Sequence, residues 1–176
     1  IKMQRAAALP EAPAQIEEYR AAAALWVEPL GNPDGATTAW QRILEVDPAN
    51  DEAFTILESL HTEAARFEPL IELYLGRLET RSEASEKTEL LRKIAKVFEE
   101  KLGDKNQALD ALMQALEIDI FDKETPKHLD VMAQDTRRWP EVLNTVNGWL
   151  KGETDPQRKI RLCLLLAKWY GDDLNR

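Results

Sequence analysis

A single cysteine, Cys163, is all the thiol this chain has, which excludes an internal disulfide framework and a cysteine-based zinc site. It fits a reducing compartment, and a cytoplasmic location is the expectation. The longest unbroken apolar run, Ala21–Val27, has seven residues, against the roughly 20 that cross a bilayer, so no membrane span is expected. Positive charge is in short supply as well. The 23 Lys and Arg face 32 Asp and Glu, leaving −9 at pH 7, and no basic run is longer than a pair such as Arg137-Arg138. A phosphate binder needs a cationic face, so nucleic acid is not an expected partner.

The motifs of common chemistry are missing too. There is no GxxxxGK[ST], no GxGxxG and no HExxH. His61 and His128 have no second ligand four residues on and read as packed or solvated side chains. The carboxylate pairs Glu17-Glu18 and Glu99-Glu100 read as solvated helix faces, because general acid–base work needs opposed groups in a cleft. No catalytic residue, cofactor or metal is therefore expected, and the chain is not read as an enzyme.

What the chain does have is a repeat. Displacing it by 72 residues, without gaps, sets "ILEVD" (Ile43–Asp47) on "ALEID" (Ala115–Asp119) and "ARF" (Ala65–Phe67) on "RRW" (Arg137–Trp139). Gly76 falls on Gly148, and "AALW" (Ala23–Trp26) falls on "AKVF" (Ala95–Phe98) and then on "AKWY" (Ala167–Tyr170). Small or aliphatic residues opening every second helix, at Ala36, Leu70, Ala108 and Val142, divide the period into spacings of 34, 38 and 34. A period near 34 implies two helices per unit. Apolar stripes and proline positions then predict helices at about 14–29, 35–46, 51–64, 67–80, 85–102, 105–118, 123–135, 139–151 and 156–172, and no strands. Pro10, Pro13 and Pro33 fall in connections, and only Pro29 sits awkwardly, in a last turn. Ala108 and Ala115 are read as small because the first helix of their own unit crosses there, with Ala95 as counterpart, while Leu109, Leu112 and Leu116 fill the gaps between units.

These residues resemble the tetratricopeptide repeat family. Its first-helix pattern is matched by Ile94-Ala95-x-x-Phe98, Leu166-Ala167-x-x-Tyr170 and Ala22-Ala23-x-x-Trp26, and its second helix by Ala108, Leu112, Ala115-Leu116 and Asp119. "ILEVDPAN" (Ile43–Asn50) is close to the family's repeat junction. Two units depart: Leu57-x-x-x-His61 and Leu129-x-x-x-Ala133 lack the small residue and the aromatic. Alternating strict and degenerate units look like large bacterial multi-repeat proteins. The resemblance implies an all-α chain, an α-solenoid of antiparallel helical hairpins wound as a right-handed superhelix. A single solenoid fragment over 1–176 is expected, with hairpins at 14–46, 51–80, 85–118 and 123–151.

It also implies a protein–protein interaction module that takes a peptide or helix of a partner protein in a concave groove. Carried onto this chain, the lining is Glu17, Arg20 and Ala24; Thr55, Ser59 and Thr62; Glu89, Arg92, Lys96 and Glu99; Glu124, Lys127, Val131 and Gln134; and Arg161, Leu164 and Lys168. The family's Lys and Asn carboxylate clamp is not matched, because the lining has no Asn. Arg92, Lys96, Lys127 and Lys168 form a basic strip, which either recognises a partner or balances neighbouring glutamates. The alternative function is a structural spacer or self-assembling scaffold segment of a longer array.

Further expectations concern packing. Trp26, Trp40, Trp139, Trp149 and Trp169 fall on repeat positions that pack. Cys163 shares an apolar stripe with Ile160, Leu166 and Ala167 and is placed in the core. Gly76 and Gly148, at matching phase inside helices, suggest close helix contact. By repeat phase, Ile1–Leu9 corresponds to the end of a preceding second helix. Residues 156–172 form an unpaired final first helix, whose Ile160, Leu162, Leu165, Leu166, Trp169 and Tyr170 exceed what one neighbour can cover. Self-association through that helix is expected.

Overall fold

Helix starts are set mostly by side chains that take orphan backbone N–H groups or that have no N–H to orphan. Asn50 Oδ1 accepts the N–H of Ala53 at 3.0 Å, and Asp122, 72 residues on, accepts that of Thr125 at 2.8 Å. Asp104 and Asp155 do the same for the helices that follow them. The computed structural model describes residues 2–27 and 33–174; for Val27 and residues 172–174 it describes the backbone alone. Pro29 and Gly31 fall outside these residues. Among those described there is no strand.

The helices are α1 (Lys2–Ala7), α2 (Ala12–Val27), α3 (Pro33–Val46), α4 (Asp51–Glu63), α5 (Phe67–Thr80), α6 (Ala84–Val97), α7 (Lys105–Ile118), α8 (Thr125–Thr136), α9 (Trp139–Gly152) and α10 (Pro156–Leu174). The chain is all-α and is built of antiparallel helical hairpins, and within each of its two compact units every helix packs on the next in sequence, as in a solenoid. It divides into two compact units, Ile1–Arg81 and Ser82–Arg176. The first contains α1 and the hairpins α2–α3 and α4–α5. The second contains the hairpins α6–α7 and α8–α9, followed by α10.

Two starts come earlier than the sequence suggests. Pro13 sits in the first turn of α2 and Pro33 opens α3, positions where a missing N–H costs nothing. The stretch Phe98–Leu102 extends α6 as a π-helical turn, which Gly103 ends at φ 69°, letting Asp104 N–H reach Phe98 O at 2.9 Å. Nothing in "FEEKL" marks that turn.

The 72-residue period is visible in the backbone. Ala65 and Arg137 both adopt the left-handed conformation, at φ 53° and 59°. Around each, the next N–H reaches back to His61 O and to Ala133 O, the six-to-one bond that closes a helix end. Asp47 and Asp119 each accept the N–H two residues on, at 3.2 and 2.9 Å, to turn the chain out of α3 and α7.

The cores follow from the small residues. In the second unit Ala95, Ala108 and Ala115 are fully buried, and Thr88 Oγ1 donates to Ala115 O at 3.4 Å, so α6 lies directly on the α7 backbone. Leu109, Leu112 and Leu116 fill the interior beside them. In the first unit the close approach lies at Gly35, where a Cβ would stand 2.3 Å from the Trp26 ring. Trp40 and Trp169 are buried, whereas Trp26, Trp139 and Trp149 are partly so.

Three expectations about packing are corrected. Gly76 and Gly148 face open space, with nothing within 4 Å of the point where a Cβ would stand, so close contact does not explain them. Cys163 is exposed. It shares the outer side of α10 with Ile160 and Ala167, while Leu166 turns inward. The final helix is also better covered than its composition suggests: Leu162, Leu165, Leu166 and Trp169 are all buried within the second unit, and Ile160 and Tyr170 remain exposed. Trp169 stacks obliquely on Trp139 of α9, with ring centroids 5.6 Å apart.

Candidate functional site

In the first unit the expected lining positions lie on α2 and α4. Arg20 pairs with Glu17 at 2.5 Å and with Glu52 at the start of α4, tying the two helices together. The hydroxyls on α4 turn back on their own helix: Thr55 donates to Asp51 O at 2.9 Å, Thr62 to Glu58 O at 2.6 Å, and Ser59 to Glu63 Oε1 at 2.7 Å. Glu17, Ala24, Thr55, Ser59 and Thr62 are exposed. This face is polar, with Arg20 set against Glu17, Glu52 and Glu63.

The second unit brings more together. Its helices α6, α8 and α10 are linked by polar contacts: Arg92 lies 3.7 Å from Asp122 in the loop before α8, His128 Nε2 is 2.6 Å from Glu99 in the turn that extends α6, and Lys168 is 2.8 Å from Asp130. Asp130 also accepts the Trp169 indole N–H at 2.5 Å. Arg161 donates to the carbonyls of Ile120 and Asp122, at 2.9 and 3.5 Å, and so binds α10 to the loop before α8. Burial pushes the Asp122 carboxyl up, but hydrogen bonds from the Thr125 hydroxyl and amide and the Arg92 charge outweigh it and hold the carboxyl below its ordinary range.

The basic strip is therefore largely answered from within the chain. Arg92 is half-buried against Asp122, Lys127 bonds Glu124 at 2.7 Å, and Lys168 bonds Asp130. Lys96 is the loosest of the four, 67% exposed and 3.8 Å from Glu100. Two exposed apolar side chains lie one helical turn from two of these cations: Val131, 52% exposed, on α8 with Lys127, and Leu164, 60% exposed, on α10 with Lys168. Glu89 and Gln134 are exposed at the edges. The acceptors Asp122 and Asp130 and the Glu99–His128 pair carried no signal in the sequence, because each meets a partner some 30 to 40 residues away.

Among the described residues no group of three or more His, Cys, Asp or Glu is placed to hold a metal ion, and no helix is long and apolar enough to cross a membrane.

No family model matches the chain, and no curated protein matches it. Among solved structures, one titled "Crystal structure of MamA" aligns at 12% identity over 91% of each chain, with a TM-score of 0.47.

Proposed function

We propose that the chain is a protein-interaction module whose second unit takes a peptide or helix of a partner on the face formed by α6, α8 and α10. The observation that carries this reading is the exposure of Val131 and Leu164, each one helical turn from an exposed lysine on its own helix, Lys127 on α8 and Lys168 on α10. Apolar anchors fringed by one sign of charge suit an amphipathic, acidic segment: burial of the aliphatic groups supplies affinity and the ammonium groups supply orientation. Arg92 contributes by holding Asp122 and the loop before α8 in place.

The test is selection of binders from a random displayed peptide library, followed by affinity measurement on variants. Acidic peptides with apolar residues are expected, and Lys96→Glu with Lys127→Glu should weaken them by about 1–3 kcal/mol with the helical content unchanged. Leu164→Asp should do likewise. Selected peptides that bind all these variants equally well would move the site off this face. A second reading, a scaffold segment that assembles through its end, is favoured by the open side of α10.

A further inference from the structure

The register of the repeat places three helices in the same role. Ile16, Tyr19, Ala23 and Trp26 of α2 correspond to Thr88, Leu91, Ala95 and Phe98 beginning in α6, and these to Ile160, Cys163, Ala167 and Tyr170 of α10, at steps of 72. In the first two cases this stripe is covered by the helix that follows. Tyr19 and Ala23 are buried and the Trp26 ring lies against Gly35 of α3. Leu91 and Ala95 are buried, and Thr88 bonds the α7 backbone at Ala115. In the third the stripe is open: Ile160 is 55% and Tyr170 46% exposed, and Cys163 and Ala167 are exposed too.

The opposite side of α10 is complete. Leu162, Leu165, Leu166 and Trp169 are buried, and the Tyr170 hydroxyl accepts from the Asn147 amide of α9 at 2.9 Å. The helix is thus ordered by its own unit and yet presents a second apolar stripe. The two covering helices show what fits on such a stripe. At matching positions they carry Ala36 and Ala108, Ala39 and Ala111, Trp40 and Leu112, and Ile43 and Ala115, all of them buried. Small residues three apart let the backbones approach, and the large residue beside them fills the remaining gap.

We infer that the open stripe of α10 is a docking surface for one amphipathic helix of α7's pattern, small–x–x–small followed directly by a large apolar residue. The occupant lies along Ile160, Cys163, Ala167 and Tyr170 as α7 lies along Thr88, Leu91, Ala95 and Phe98. A second copy of α10 fits less well, since its own stripe places Ile160 and Tyr170 where the covering helices place alanines and an aliphatic residue. Leu164, four residues from Ile160 and three from Ala167, stands at the border between this stripe and the face proposed for peptide capture, so helix docking is read at Cys163 and peptide capture by peptide affinity.

Cys163 provides the readout, because its counterpart Leu91 is buried and the chain holds no other thiol. In register, Arg176 corresponds to Asp104, so appending the sequence of Lys105–Ile120 after Arg176 places an α7-like helix in phase with the stripe. The rate at which a thiol reagent modifies Cys163 is measured in the native chain, in the extended chain, and in an extended chain with Glu at the appended counterparts of Ala108 and Ala115. Modification should slow about tenfold or more in the extended chain, the protection expected of a contact worth roughly 1.4 kcal/mol. The glutamate-bearing extension should restore the native rate. An unchanged rate in the extended chain overturns the inference. So does protection in the native chain that grows with its own concentration, which would make a second copy the occupant.

Discussion

The two units share a backbone and fill it differently. At equivalent positions on their second helices, α7 carries Leu109, Leu112 and Leu116, all fully buried, where α3 carries Thr37, Trp40 and a partly buried Leu44. Thr37 turns its hydroxyl back to Pro33 O at 2.9 Å, so it gives the core a methyl group where α7 gives an isobutyl. Beside Leu44 an open cavity of about 320 Å³ is lined by Gln41, Leu57, His61, Pro69 and Glu72 among others. At these three positions the second unit closes its interior with leucine alone. What is repeated is where the chain turns, and what varies is which side chains fill the space, in combinations that suit one another.

The largest test cuts the same methylenes from both. Leu116→Ala should destabilise the protein by about 2–5 kcal/mol, because a fully buried site leaves a cavity that its neighbours cannot collapse into. Leu44→Ala, at the equivalent position next to space already open, should cost about 1 kcal/mol, most of the side chain's transfer free energy not having been gained on folding. Denaturant unfolding monitored by circular dichroism reads both. Equal losses would mean that the two interiors are equally well packed.

A smaller effect tests whether fillings are matched in pairs. Trp26 against Gly35 in the first unit corresponds to Phe98 and Gln107 in the second. Gly35→Gln brings a Cβ into the Trp26 ring and should cost about 1–3 kcal/mol as overpacking. Trp26→Phe in the same chain should recover part of that loss, a coupling that a double-mutant cycle measures directly. Simple additivity would show that the glycine is there for another reason.

These combinations explain what the sequence could and could not convey. Helix order and turn positions were legible because Asp47 and Asp119 and the buried alanines are local signals that recur at one spacing. The left-handed residues were not, since neither Ala65 nor Arg137 is a type that favours positive φ; the closing bonds to His61 O and Ala133 O impose it. Gly76 and Gly148 misled because a helical glycine is equally compatible with close contact and with open space. Cys163 misled because α10 carries apolar residues on two sides, and periodicity alone does not say which side meets its own unit. In the second unit the basic strip was legible in the sequence, but the carboxylates that hold Arg92 and Lys168 were not. Asp122 and Asp130 reach it only through the packing of α8 against its neighbours.

The smallest effect concerns the buried polar group that the first unit has and the second lacks. His61 is 3% exposed, its Nδ1 has no hydrogen-bond partner, and the corresponding residue of the second unit is the fully buried Ala133. Burial, with the Arg66 charge nearby, pulls the imidazole below its ordinary value of 6.5, and Glu72 opposes this only in part. The unfolded chain therefore binds the proton more readily than the folded one does. By linkage, stability is complete above the unfolded value and falls as pH drops through 6.5 toward the folded value, below which the loss levels off. His61→Ala should remove that acid-side slope, and Ala133→His should add a comparable one to the second unit, both read as the shift in thermal midpoint between pH 7.5 and pH 5.5. A slope that survives His61→Ala would move the sensitivity to groups other than the buried imidazole.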